Sequence, residues 1–198
     1  MPLRLPVRPQ ANVRGPRRQH ARGEVQILVD AEHFDTIIRG GLLAARVSID
    51  IMTADFKAML VPTPGTRGAR SIVEVLRGLA QRGVETRLLH AGVPSSAALR
   101  ELKRALPRNL AIRRCPRLHA KAVIIDTQRM YLGSANLTGA GLGAKADGKR
   151  NFELGVWTDS PALIDAVLEQ FNSLWEGRPC PTCRRRDICP IPLEEPAL

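Results

Sequence analysis

Long hydrophobic runs are missing from this 198-residue chain: nowhere do eighteen apolar side chains follow one another, which excludes a membrane-spanning helix. Its start carries no apolar signal region, so export is not expected and a cytoplasmic location is. Aromatic residues make up 4% and tyrosine occurs once, too few for the docking loops that a lipid surface attracts. Cysteines number four, which in a cytoplasmic chain points to thiols or a metal before disulfides. Acidic residues are outnumbered, 19 against 30 Lys+Arg, for a net charge of +11. Most of the basic residues are arginine, the side chain suited to bidentate contact with phosphate, so a polyanionic partner is expected. A hydrophobic content of 44% is ordinary for one folded domain of this size.

What is present concentrates near the middle. His119-Ala120-Lys121 is followed, after four residues, by Asp126, and after six more by Gly133-Ser134-Ala135-Asn136; Asn151-Phe152-Glu153 comes later. Free imidazole is substantially neutral near physiological pH, so His119 can attack phosphorus directly. The resulting phosphohistidine splits one hard displacement into two easier ones. Lys121 is placed to clamp a non-bridging oxygen, because residues two apart share a strand face. Ser134 and Asn136 can donate hydrogen bonds to the same group. Glu153 is suited to accept from the far nitrogen of His119 and fix its tautomer. Taken singly, a His-x-Lys pair, a strand-end Asp and a Gly-Ser loop are common. Their joint spacing, between short apolar β-branched runs, is not.

This run resembles the HKD motif of the phospholipase D superfamily, and Asn151-Phe152-Glu153 resembles the N-x-E stretch that follows it in many members. The resemblance implies that His119 and Lys121 form the catalytic pair, that Asn136 helps to hold the phosphate, and that Asp126 supports the site from behind. It also implies a site assembled from two His-x-Lys motifs, one His attacking and the other protonating the leaving group. Only one such motif is present, since His20, His33 and His90 have no Lys two residues on. A homodimer is therefore expected, as in small single-motif bacterial endonucleases of the superfamily, with a partner protein supplying the other half as the alternative.

The chain divides into a basic arm (1–23) with six arginines and no acid, a phospholipase D-like catalytic domain (24–176), and a Cys/Arg-rich tail (177–198). Within the domain, strands are expected over 24–30, 47–54, 84–89, 110–114, 120–125, 130–132 and 152–158. Helices are expected over 31–45, from Ser71 with a capping box to Glu74, from Ser95 or Ser96 to about Ala105, and from Ser160-Pro161 onward with Leu163, Val167, Phe171 and Leu174 inward. Pro62 to Arg70 reads as a loop facing substrate or simply exposed. Strands alternating with helices predict an α/β fold, a phospholipase D-like sandwich with a mixed β-sheet flanked by helices on both faces, one HKD half-domain per chain.

Cys180-Pro-Thr-Cys183 and Cys189, with Cys115 just ahead of His119, supply four thiolates for a structural zinc site, or alternatively an iron–sulfur cluster. No cofactor is expected in the chemical step. The expected activity is cleavage of nucleic acid, DNA before RNA. A phospholipase D-type lipid hydrolase or phosphatidyltransferase is one alternative; a non-catalytic nucleic-acid-binding subunit of a larger defence or repair complex is another.

Overall fold

The computed structural model describes residues 23–62, 68–102 and 106–189. Most of the basic arm and the last residues of the tail lie outside these. A seven-stranded sheet forms from β1 (Val25–Val29), β2 (Ser48–Thr53), β5 (Glu85–His90), β6 (Leu110–Arg114), β7 (Ala122–Ile125), β8 (Arg129–Gly133) and β9 (Leu154–Thr158), in the order β1-β9-β8-β7-β2-β5-β6. β2, β5 and β6 run parallel, and the remaining neighbours are antiparallel. The sheet is mixed because helices return the chain between β2, β5 and β6, whereas a tight turn joins β7 to β8.

One face of the sheet packs on α1 (Ile72–Gln81) and α2 (Ser96–Leu102), burying Ile49, Ile51, Leu76, Leu79 and Ile112. The capping box is present: Ser71 Oγ accepts from Glu74 N–H at 3.1 Å, and the Glu74 carboxylate accepts from Ser71 N–H at 3.3 Å. The other face is covered by α3 (Pro161–Trp175), which seats Phe171 and Trp175 over Met52, Leu89 and Ala122. Beneath α3, Asp50 on β2 is 4% exposed and pairs with Arg87 at 2.6 Å. The Arg87 guanidinium also lies over the Phe171 ring, so the buried charge is both paired and packed.

Three expectations are corrected. The 31–45 segment is not one helix but a π-helical stretch (Phe34–Arg39) and a short 3-10 turn (Leu42–Ala44). It breaks at Gly41, where a Cβ would meet Ile125 Cδ1 at 2.6 Å and Trp157 at 2.9 Å; the backbone itself packs on the sheet there. Along α3 the buried positions are Ile164, Phe171 and Trp175, while Leu163 is 46% exposed. The Pro62 to Arg70 segment begins and ends in a small hairpin, β3 (Leu60–Pro62) against β4 (Ala69–Ser71); residues 63–67 lie outside the described set. The strands otherwise match the expected ones to within two residues.

Candidate active site

The beginnings of β7 and β9 and the ends of β2, β5 and β8 meet at one edge of the sheet, and the candidate groups gather there. β7 begins only at Ala122, so His119 and Lys121 lie in the connection before it rather than on a shared strand face. What joins them is hydrogen bonding: Lys121 Nζ donates to the His119 carbonyl at 2.7 Å and stands 3.2 and 3.3 Å from the two ring nitrogens. Lys121 is buried, and desolvation holds its pKa below the ordinary lysine value, with the nearby Glu153 charge opposing that shift. His119 itself is exposed. The pair therefore presents an accessible imidazole backed by a partly desolvated ammonium.

Asn136 is oriented by its oxygen. Asp55 N–H donates to Asn136 Oδ1 at 3.0 Å, and Thr53 Oγ1 lies 3.3 Å from the same atom. Thr53 Oγ1 also donates to the Asp55 carbonyl at 2.7 Å and accepts from Leu137 N–H at 2.9 Å, which locks the turn after β2 against the Gly-Ser-Ala-Asn segment. With Oδ1 engaged, the amide NH2 is the side of Asn136 left to meet an anion. Thr53 and Asp55 were not singled out from sequence. Their signal is weak: a short polar Thr-Ala-Asp ending an apolar strand.

Glu153 does not bond His119 within the chain. Its carboxylate accepts from the Ser134 hydroxyl and, at 3.0 Å, from Asn151 Nδ2; its backbone N–H donates to Asp30 Oδ1 at 2.8 Å. β8 and β9 place Ser134 and Glu153 side by side, and Leu154 N–H donates to Ser134 Oγ at 3.1 Å. Ser134 is thus tied to the carboxylate and its strand. Behind them Tyr131 is buried, and its hydroxyl accepts from Ala135 N–H at 2.9 Å. Burial first, with the Glu153 charge adding, pushes the Tyr131 pKa up to about 12. Gly133 and Gly155 make room for this ring: a Cβ on Gly155 would fall inside it, and one on Gly133 would also meet the Gly155 backbone at 2.6 Å.

Asp126 is not brought to the site. It lies at the far end of β7, four strand residues away, or roughly 13 Å at about 3.3 Å per residue. Its carboxylate accepts from the backbone N–H groups of Arg46, Val47 and Ser48 at 2.7 to 3.1 Å. Asp126 and Thr127 both have φ of 53°, the left-handed pair that a tight β-hairpin turn demands. Its work is to form the turn and anchor the start of β2. His90 is likewise structural: it is fully buried, its Nδ1 is 2.8 Å from the Gly92 carbonyl, and burial lowers its pKa.

The four cysteines are not in disulfides. Cys115, Cys180 and Cys183 line one cavity beside His119, and Cys189 is not among its lining residues. Among the described residues no group of three or more His, Cys, Asp or Glu is gathered closely enough to hold a metal ion. No helix among them is long and apolar enough to cross a membrane.

Comparison with known proteins gives this geometry its context. A family model described as "cardiolipin synthase, PLD-like domain" matches residues 38–175. A search of curated proteins found no significant match. Among solved structures, NucT from Helicobacter pylori is similar at a TM-score of 0.58 and 19% identity, covering 78% of this chain and 96% of that one. The phospholipase D family member Nuc from Salmonella typhimurium gives 0.56 and 21%, covering 78% and 95%. TrmBL2, an archaeal chromatin protein whose structure shows a novel mode of DNA binding, gives 0.52 and 17%, covering 77% of this chain and 52% of that one. The match over 38–175 takes in β2 through α3, including His119, Lys121, Asn136 and Glu153, and the chain accordingly belongs to the family of phospholipase D-like domains.

Proposed function

We propose that the chain is a phosphodiesterase that cleaves nucleic acid, DNA before RNA, through a phosphohistidine on His119 in a homodimeric site. The observation that carries it is the convergence of His119, Lys121 and the oriented amide of Asn136 at one sheet edge. In the first step an imidazole nitrogen of His119 forms a bond to phosphorus as the P–O bond to the leaving nucleoside breaks. The departing alkoxide needs a proton, and among the described residues one chain supplies a single exposed imidazole. His119 of a second copy completes the acid–base pair: it protonates the leaving oxygen, then takes a proton from the water that breaks the P–N bond. Lys121 and Asn136 stabilise the charge on the non-bridging oxygens throughout. The net charge of +11 favours a polynucleotide over a neutral substrate.

The test is turnover on single- and double-stranded DNA and RNA in excess chelator, with His119→Ala alongside. The wild-type chain is expected to cleave and the variant to lose at least a thousand-fold in rate while still binding; turnover that survives the substitution defeats the reading. A lipid phosphatidyltransferase is the second reading, favoured by one feature: Phe152, beside Glu153, is 97% exposed. Phosphatidyl transfer from anionic vesicles to glycerol, without cleavage of polynucleotide, would establish it instead. A non-catalytic binding subunit of a defence or repair complex would bind nucleic acid equally well with and without His119 and turn over neither substrate.

A further inference from the structure

The match to phospholipase D-like domains ends with α3 at Trp175, yet the chain continues and folds back beside His119. Gly177, with φ of 74°, turns it, and Arg178 fastens the turn to Glu169 and Glu176 at 2.6 and 2.8 Å. A 3-10 turn (Cys180–Thr182) follows, closed by the Cys183 N–H donating to the Cys180 carbonyl at 3.1 Å. Ahead of His119, the Leu118 N–H donates to the Cys115 carbonyl at 2.9 Å; this second turn buries Leu118 on Phe171 and Trp175 and leaves Arg117 and His119 exposed. The two turns and α3 enclose a cavity of about 350 Å3. Pro179, Cys180 and Cys183 give it a wall from the tail, and Gln170 and Leu174, on one face of α3, give it another. His119 itself stands in the remaining wall.

The lining is divided in character. Leu118, Leu174, Cys115 and Cys180, buried or half-buried, offer apolar surface, whereas Arg117 and Gln170 are long, polar and exposed. A phosphate or a sugar gains little from such a surface. The part of a nucleotide that matches it is the base, which has an apolar face and a polar edge and lies one sugar away from its phosphate. We propose that this cavity holds the base of a nucleotide flanking the scissile phosphate, an assignment that rests on His119 being the nucleophile of a nuclease. The base lays its face on Leu118 and Leu174. Its edge meets the Gln170 amide, which both donates and accepts. Arg117 Nη1 donates to Cys183 Sγ at 3.5 Å, which steadies the guanidinium while its other N–H groups meet the base edge or the adjoining phosphate. Arg184 and Arg185, exposed next to Cys183, add attraction for the flanking backbone. An acyl chain would cover the apolar surface equally well but would turn the Gln170 amide and the Arg117 guanidinium toward hydrocarbon, which makes lipid the poorer occupant.

The experiment is cleavage of end-labelled single-stranded DNA oligonucleotides by the full chain, with one abasic residue stepped along the strand and the rate read at each bond. A missing base is expected to slow cleavage about ten-fold or more at a bond it flanks, and to leave bonds three or more nucleotides away nearly unchanged. Gln170→Ala, at an exposed helix position that suits alanine, is expected to slow cleavage of the intact strand about three- to ten-fold. At a bond flanking the abasic residue the same substitution is expected to add little, because the group that Gln170 meets is already gone. Cleavage that is indifferent to the abasic residue at every bond overturns the proposal and leaves the nuclease reading standing. An effect of Gln170→Ala that is equally large with and without the base overturns it too. No cleavage of any oligonucleotide, or phosphatidyl transfer in its place, defeats the nuclease reading and the base site together. The abasic series uses the wild-type chain, so it decides even if the variant fails to fold.

Discussion

The amide of Asn136 is held by its oxygen alone, and this makes Thr53 a positioning residue at some remove from the chemistry. Thr53→Val removes the hydroxyl that ties Asp55 and Leu137 together while nearly preserving shape. We expect kcat to fall about ten-fold with KM little changed, against a loss of roughly a hundred-fold or more for Asn136→Ala, since that removes the donor itself. Steady-state kinetics on an oligonucleotide separate the two, and an unaltered kcat in Thr53→Val would show that the turn does not orient the amide. Tyr131 gives a second residue-scale test, because it is the only tyrosine. Its folded pKa is raised to about 12, above the unfolded value of about 10. The sign follows: the neutral phenol's contribution to stability is fully present below pH 10 or so and is lost as pH rises toward 12. Phenolate absorbance is expected to appear near pH 12 in the folded protein and near 10 in denaturant. Ionisation near 10 with the fold intact would contradict the buried placement.

Among the elements, the β8–β9 pair does the most for the site, since it sets Ser134 against Glu153 and encloses Tyr131 between two glycines. Gly155→Ala places a methyl in the Tyr131 ring and forces the strands apart. A loss of about 1 to 3 kcal/mol is expected from such overpacking, measured by urea denaturation, together with reduced turnover through displaced Ser134 and Glu153. A neutral outcome would mean that the ring shifts freely. Element-scale structure was legible where local chemistry decides it. The Ser71–Glu74 capping box and the apolar runs of β5 to β8 required no tertiary information. The π-helical stretch was not legible, because its break is dictated by contact of Gly41 with Ile125 and Trp157, far along the chain.

At the scale of the whole molecule, α3 covers only part of its face of the sheet. The part that no described residue covers, over β1, β9 and β8, carries Val25, Ile27, Val29, Leu154 and Leu132, exposed by 40 to 60% and aligned across the strands by their register. This apolar area adjoins Ser134 and Glu153, and under the proposed homodimeric site it is where a second copy is expected to dock. Sedimentation is expected to give twice the 21.7 kDa chain mass. Ile27→Asp and Leu154→Asp are expected to yield folded monomers without turnover; a fully active monomer would rule out the shared site.

By itself the sequence determined the fold class and the family, since motif spacing and apolar periodicity are local and survive in one dimension. It also placed His119, Lys121, Ser134, Asn136 and Glu153 in one constellation, which the sheet edge brings together. Tertiary structure alone decided that Asp126 anchors the opposite end of β7, that Glu153 bonds Ser134 and Asn151 rather than His119, and that Thr53 and Asp55 orient Asn136. Those outcomes depend on which strands become neighbours and which end of each faces the site; the bonds of Asp126 and Asn136 join residues some eighty positions apart, for which local sequence carries no signal.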